Sequence, residues 1–508
     1  MTSVRDRVAR TGLTVRAGKR RFVLAGVLLV AGGVPTVTGT VAHGAACQYA
    51  ASLGHGWSVL ATPPFTAGPT AVNRFIHYPY TMGNGALFSA LPGNAQTLVS
   101  TNGTQIMRTT NGGCTWRAVY TFAQGDLGPD PSAAQGADAG SEGYEGAYEI
   151  QAFAAPRYAG TGHTMYAVAA VSGSVPALVA SQFTVSPPVV MLKSTDDGAS
   201  WQQLNSLPTA AAVAVPRCFT PADPFNGPLR VTMAPSNPEI VYLACGTNGY
   251  TVDGAMKVAT GTGDLSLYES TDGGVSWVQR TTPTTEAYGV PLQGLAVDPR
   301  HPERAWLATN WSYVSGGSKA QTPSLWRSAD SGQHWTKSAT GRSVTEAADT
   351  KYPQPTSVAL TGEFGVDMGP SGDVTLARGE SGVLRANGGG PGWQTLARSP
   401  ARGTVVAHSV FAASGDLYVV RDYGVPAGYA GPTYCTNTTC SWEQLFRVRG
   451  AKTTAIAPPG HLISDFYGLQ SSGNTKVTTI YGYAMLKSVS TGASGATRNV
   501  FLCWTGDA

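Results

Sequence analysis

Three short runs carry the side chains best suited to chemistry: Arg378-Gly379-Glu380, Arg421-Asp422-Tyr423 and Trp311-Ser312-Tyr313. An arginine fork binds a carboxylate through two parallel hydrogen bonds. A neighbouring carboxyl group supplies acid–base chemistry, and Trp or Tyr rings stack on the flat faces of a ligand. Arg378, Arg421, Tyr423, Trp311 and Tyr313 are therefore candidate ligand-binding residues, suited to an acidic sugar or a peptide end. Glu380 and Asp422 are the candidate catalytic carboxylates. The same charges would also serve as ordinary ion-paired strand ends. Other chemistries lack their residues: the histidines show no pair at metal-ligand spacing, no Ser-His-Asp order stands out, and there is no phosphate-binding loop. The acidic run from Gln124 to Glu149 lacks the dense oxygen-ligand spacing of a Ca²⁺ loop and reads as a solvated insertion. No metal and no cofactor is expected.

The elements that must position these residues are announced by a repeated octet. Ser194–Trp201, Ser270–Trp277 and Ser328–Trp335 fit Ser/Thr-x-Asp/Asn-x-Gly-x-x-Trp, and Thr109–Trp116 is a fourth copy with Asn111 in the Asp place. Asp196, Asp272 and Asp330 can accept bonds from nearby backbone N–H groups and close a turn. Gly198, Gly274 and Gly332 can take positive φ. Trp116, Trp201, Trp277 and Trp335 would carry apolar area between sheets. Strand-like runs flank each octet, so each is read as the turn of a hairpin.

The chain begins with seven Lys or Arg within residues 1–21 against one acid, Asp6. An uncharged apolar run from Phe22 follows, then small residues up to Ala46. Residues 1–46 are read as a signal peptide, or as an uncleaved membrane anchor over residues 22–42, which places the remainder in an extracytoplasmic or secreted setting. The leader carries more than the whole formal net charge of +4, leaving the rest of the chain slightly acidic. No basic face suggests a nucleic-acid partner.

Residues 47–508 are poor in charge, with 13% Asp, Glu, Lys and Arg over the whole chain against roughly 25% in average proteins. They are punctuated by turns and show no long helical period. The expectation is an all-β chain closed into a β-propeller of four-stranded antiparallel blades. Counting blades by the Trp that opens each outer strand gives Trp57, Trp116, Trp201, Trp277, Trp335, Trp393 and Trp442, hence seven blades, with six or eight as alternatives. The strand at Trp57 has no blade before it and is expected to complete the last blade, which removes two free sheet edges. Trp311–Tyr313, Arg378–Glu380 and Arg421–Tyr423 then end second strands of successive blades, on the rim opposite the octets. In an oxidising setting the seven cysteines should pair. The expected bridges are Cys47–Cys503 across the closure, Cys218–Cys245 and Cys435–Cys440, which leaves Cys114 free.

The octets resemble Asp boxes, also called bacterial neuraminidase repeats. Over most of 47–508 the chain resembles the Asp-box β-propellers: sialidases, xyloglucanase-type glycosidases, sortilin-type receptors and the photosystem II stability/assembly factor group. The resemblance implies that the boxes are structural turns on the face away from the ligand. Sialidase chemistry would need an arginine cluster, a Tyr–Glu nucleophile pair and an acid/base Asp. Where that family has Phe/Tyr-Arg-Ile-Pro, this chain offers only Asn73-Arg74-Phe75-Ile76-His77. The twin-carboxylate signature of the xyloglucanase-type enzymes is not recognisable. The resulting expectation is a non-catalytic module that binds a carbohydrate or protein on its loop face. An exo-sialidase-like glycoside hydrolase and an extracytoplasmic assembly factor are the alternatives.

Overall fold

The repeated octets do punctuate a ring of sheets. The computed structural model describes residues 51–66, 88–121, 148–156, 158, 162–171, 189–204, 229–246, 265–283, 292–315, 318–340, 344–347, 366–377, 383–386, 393–397, 406–423, 442–450, 452–458, 460–474, 476–488 and 498–507. All belong to the unit His43–Ala508. They form seven four-stranded antiparallel blades and, among the described residues, no helix. The first three blades are Phe88–Ala90 to Arg117–Thr121, Tyr148–Ala154 to Gln202–Gln203, and Leu229–Ala234 to Val278–Arg280. The fourth contains Leu292–Val297, Ala305–Ser315, Ser318–Ser328 and Thr336–Thr340, with Val344–Ala347 added beside the third strand. The fifth contains Val366–Met368, Val374–Ala377, Val383–Ala386 and Trp393–Ala397. The sixth contains Val406–Phe411, Leu417–Tyr423, Trp442–Arg449 and Lys452–Ile456. The seventh joins His461–Gly473, Val477–Ser488 and Arg498–Asp507 to the N-terminal strand Trp57–Leu60.

First strands touch their counterparts in neighbouring blades all the way round, and His461–Gly473 meets Phe88–Ala90 to complete the circle. Between blades lie apolar layers. Ala152, Tyr166 and Met191 of the second blade, for example, pack with Met233, Leu243 and Trp277 of the third. A Met or Leu side chain in such a layer contributes about 1.5–3 kcal/mol on full burial.

Three expectations are corrected here. Trp442 opens the third strand of its blade, not the outer one; the outer strand is Lys452–Ile456, reached through the tight connection at Gly450. The inner strand of the closing blade is His461–Gly473, which the Trp count does not mark. The two errors cancel, so the count of seven holds. The predicted Cys47–Cys503 bridge is also corrected: Cys503 is a free thiol, turned into the apolar layer between the last and first blades beside Phe88, Tyr481 and Phe501. Burial pushes that thiol up to about 12. Cys114, expected to be free, is disulfide-bonded. The side chains of Cys47, Cys218, Cys245, Cys435 and Cys440 lie outside the described residues, as do the leader and most of the acidic insertion.

Among the described residues, the last blade is joined to the first by non-covalent contacts. Tyr481 of the seventh blade donates to the Ala95 carbonyl of the first, and Ser472 donates to that of Leu91. Gly93 N donates to Gly473 O at 2.9 Å, and the Trp116 indole N–H donates to Ala61 O at 2.9 Å. The tyrosine is one of a set. Tyr166, Tyr242, Tyr418 and Tyr481 occupy the same place in their second strands, each following an apolar residue (Met165, Val241, Leu417 and Ile480) after the first turn of the blade. Tyr166 reaches Pro238 O and Tyr242 reaches Pro302 O, each at 2.9 Å in the next blade. Burial raises all four phenols, Tyr418 to about 12.

Candidate functional site

A propeller has two rims, and their chemistry differs. On one rim the octets use their polar groups internally. In Ser270–Trp277, the Ser270 hydroxyl donates to Asp272 Oδ1 at 2.8 Å and accepts from Gly274 N at 2.7 Å. Asp272 Oδ1 also accepts from Ser276 N at 2.9 Å, and Oδ2 accepts the Ser276 hydroxyl at 2.5 Å. The Trp277 indole donates to Gly274 O at 3.0 Å. Asp196 repeats this pattern with Ser194 and Ser200. Asp330 repeats it with Ser328 and His334, and Asn111 with Thr109 and Thr115.

Two consecutive residues of each octet lie in the left-handed region. The pairs are Gly112 and Gly113 at φ 67° and 87°, Asp197 and Gly198 at 58° and 75°, Gly273 and Gly274 at 71° and 89°, and Ser331 and Gly332 at 58° and 78°. The second must be Gly for a further reason: a Cβ on Gly198 would come within 2.7 Å of Val99 in the preceding blade.

The electrostatics follow from these bonds. Burial alone would raise the carboxyl groups of Asp196 and Asp272, but hydrogen bonds from the Ser side chains and backbone outweigh it, and both sit below the ordinary carboxylate value. Asp330 is held at about 2, chiefly by the hydrogen bond from the His334 ring. Every one of these oxygens is occupied within its own turn. The turns also grip the first turn of their own blade, as in Gly273 N to Glu239 O at 2.8 Å and Ser331 N to Glu303 O at 2.8 Å. At this end of the axis, the Tyr158 hydroxyl of the second blade donates to Met368 O of the fifth, on the far side of the ring.

The opposite, loop rim is where second and third strands join. Here the strand register places the remaining candidates. Tyr423 faces Trp442, Asp422 faces Glu443 and Arg421 faces Gln444. Glu443 also pairs with Ile463, so the sixth and seventh blades fuse into one sheet at this rim. Trp311 faces Thr322 and Tyr313 faces Ala320 in the long hairpin of the fourth blade. Arg378 and Glu380 lie outside the described residues.

Alternation then sorts these residues, because successive positions on a strand belong to opposite faces of the sheet. Leu417 and Val419 pack against Val383 of the fifth blade, which assigns Arg421 and Tyr423 to the same face as those two residues. Tyr418 and Val420 pack against Ile463 of the seventh blade, which assigns Asp422 and its partner Glu443 to the other face. In the fourth blade, Leu307 packs toward the third blade, so Trp311 and Tyr313 fall on the face turned away from the fifth. The predicted set is thus divided: Arg421 and Tyr423 share one face, while Asp422, Trp311 and Tyr313 do not join them. Sequence reasoning missed Trp442, Glu443 and Gln444 as their facing partners. Pairing Leu417–Tyr423 antiparallel with Trp442–Val448 would have found them.

No known protein family matches this chain. A curated relative, a xyloglucanase from Paenibacillus sp, is 25% identical over 278 residues, covering 50% of this chain and 24% of the relative's own length. Among solved structures, YCF48 bound to D1 peptide shares 15% identity at a TM-score of 0.38, over 83% of this chain and 93% of that one. An ancestral GH74 enzyme shares 14% identity at a TM-score of 0.37, over 82% of this chain and 57% of that one.

Proposed function

We propose that the protein is an exported Asp-box, or BNR-repeat, propeller that binds a carbohydrate or protein partner on its loop face. One contrast carries this reading. The octet carboxylates are consumed by their own turns, whereas the hairpins on the opposite rim differ in length from blade to blade and carry the aromatic and charged positions. Uneven loops on a rigid scaffold are where binding residues concentrate. The test is hydrogen exchange on the purified chain with and without bound glycans or captured peptides. Protection of Leu417–Tyr423, Trp442–Arg449 or Ser318–Ser328 is expected; protection confined to the octet hairpins would sink the reading. Export is tested separately by N-terminal sequencing of protein recovered from the medium. A mature end near residue 46 is expected, and retention of residues 1–46 in a membrane fraction would replace secretion with anchoring.

A second reading, glycoside hydrolysis, is supported by the xyloglucanase relative and by the register pair Asp422 and Glu443. Facing positions in a sheet hold their Cβ atoms about 4.5–5.5 Å apart. Retaining glycosidases place their two carboxyl groups about 5–5.5 Å apart. Reducing-end release from xyloglucan, abolished by both Asp422→Asn and Glu443→Gln, is the required result; release untouched by either substitution excludes this pair.

A further inference from the structure

The first octet differs from the other three at its third place. Where they carry Asp196, Asp272 and Asp330, it carries Asn111, followed by Gly112. Asparagine is a thermolabile residue, and most so before glycine, which has no Cβ to obstruct attack by its own backbone nitrogen. In that attack the glycine nitrogen bonds to the asparagine Cγ and gives up its proton. The Cγ–Nδ2 bond breaks and ammonia leaves. Water then opens the five-membered imide at one of its two carbonyls, so that one water enters for each ammonia lost. Opening at the side-chain carbonyl gives aspartate. Opening at the main-chain carbonyl gives isoaspartate, whose backbone is one methylene longer and whose side chain is one methylene shorter.

In the folded chain both reacting groups are held. Gly112 N, the nucleophile, donates to Gln96 O in the first turn of its own blade at 2.8 Å. Asn111 Oδ1 accepts from the Thr109 hydroxyl at 2.8 Å and from Thr115 N at 3.0 Å. Nδ2, the leaving group, donates to Thr115 Oγ1 at 2.8 Å. Cys114, in the same turn, is disulfide-bonded. Attack therefore requires Gly112 to leave Gln96 and the amide to leave Thr109 and Thr115, which opens the hairpin. Solvent is close at hand when it does, since Thr115 is exposed and a Cβ on Gly112 would meet nothing within 4 Å.

The two products then meet different fates. An aspartate here has the bonding pattern of the other octets, in which Ser200 and Ser276 donate their hydroxyls to Oδ2 of Asp196 and Asp272. Thr115 stands in the place of those serines, and its hydroxyl rotates to donate. Isoaspartate has the wrong reach: its lengthened backbone and shortened side chain break the bond to Thr115 N that closes the turn. We propose that Asn111 is a fold-gated deamidation site, converted by water only when the first octet hairpin opens, with aspartate returning to a complete octet and isoaspartate excluded from the fold.

The experiment follows the whole chain in mildly alkaline buffer, folded and in concentrated urea without reductant. Peptide mass mapping separates the asparagine, aspartate and isoaspartate forms. Conversion at Asn111 is expected to be slower by about a hundredfold or more in the folded chain, because it waits on local opening. Thr115→Val, which keeps the shape and removes the bond to Nδ2, should speed folded-state conversion by about twofold to tenfold and leave the rate in urea unchanged. Among the described residues, Asn102 is the other asparagine before glycine. It is buried, its Oδ1 accepts from Gln105 N at 2.8 Å, and Gly103 N donates to Thr101 Oγ1 at 3.0 Å. Its rate should not respond to Thr115→Val. After dilution from urea, the aspartate form should refold as the asparagine form does, and the isoaspartate form should stay in the unfolded fraction. Thermal unfolding checks that the variant is folded, and the comparison of folded and urea-treated parent stands without it. Equal rates in the folded and unfolded chain, equal acceleration of Asn102 by Thr115→Val, or isoaspartate recovered in proportion in the folded fraction overturns the proposal.

Discussion

Phe501 of the seventh blade meets Phe88 of the first edge-on, with ring centroids 4.6 Å apart and planes at 77°. The two residues come from opposite ends of the described chain, and both are almost fully buried. Edge-to-face geometry adds about 0.5–1.5 kcal/mol to the burial itself. Phe501→Ala is therefore expected to cost about 3–5 kcal/mol, read as a lowered urea midpoint. Cys503, two residues on, contributes no bridge. Iodoacetamide should leave it unmodified in the native protein and label it only after unfolding, since burial raises its thiol to about 12 and the thiolate is the reactive form. Labelling in native buffer would contradict the buried placement.

The octets offer an internal control on their own chemistry. Asn111 accepts from Thr115 N at 3.0 Å and from the Thr109 hydroxyl at 2.8 Å, as the aspartates do from their partners. Asp272→Asn should thus be tolerated within about 0.5 kcal/mol, whereas Asp272→Ala, which strands the Ser276 and Ser270 donors, should cost about 1–2 kcal/mol. Equal loss in both variants, measured by chemical denaturation, would show that charge and not bonding geometry holds the turn.

The depressed aspartates fix a direction of pH dependence. A carboxylate held below its unfolded-state value stabilises the fold above that value and loses the contribution as pH falls through the folded-state value. For Asp330 the window runs from its ordinary 3.8 down to about 2. Asp196 and Asp272, lowered in the same direction, add to it. The difference in melting temperature between the parent and a variant with all three changed to Asn should be roughly constant from neutral pH to about 5, then narrow between about 4 and 2. A gap that widens on acidification would reverse the assigned sign.

The tyrosine latches make a separate prediction. The Tyr242 hydroxyl lies 2.9 Å from both Pro302 O and Glu269 Oε1. Glu269 is buried and is also bound by Arg280. Tyr242→Phe removes a donor from a buried carboxylate, and Tyr166→Phe removes one from a single carbonyl. The first should cost about 1.5–3 kcal/mol and the second about 1 kcal/mol. The order of the two, more than either size, is what equilibrium unfolding would test.

Much of this architecture is written in short-range chemistry. The octets mark their turns because Ser, Asp and Gly bond within eight residues, and the strand at Trp57 announces itself by having no blade before it. His461–Gly473 escaped notice because register shifts near Tyr467 interrupt the alternation that identifies a strand. Trp442 was misplaced because the run of Thr, Asn and Cys before it imitates a decayed octet, whereas the true turn of that blade keeps only a glycine, Gly450, without the octet's hydroxyl, Asp or Trp. The site was harder to read for a different reason. Whether Trp311 or Arg421 borders a given blade is a matter of parity counted from core residues such as Leu307 and Val419, and those contacts are known only once neighbouring sheets are in place. Chemical type picked plausible residues; only packing could say which of them are neighbours.

The bond from Tyr158 to the Met368 carbonyl has a mechanical consequence. It is a chord across the ring, joining the second blade to the fifth, which are not neighbours. These two blades are therefore held to each other directly as well as through the blades between them.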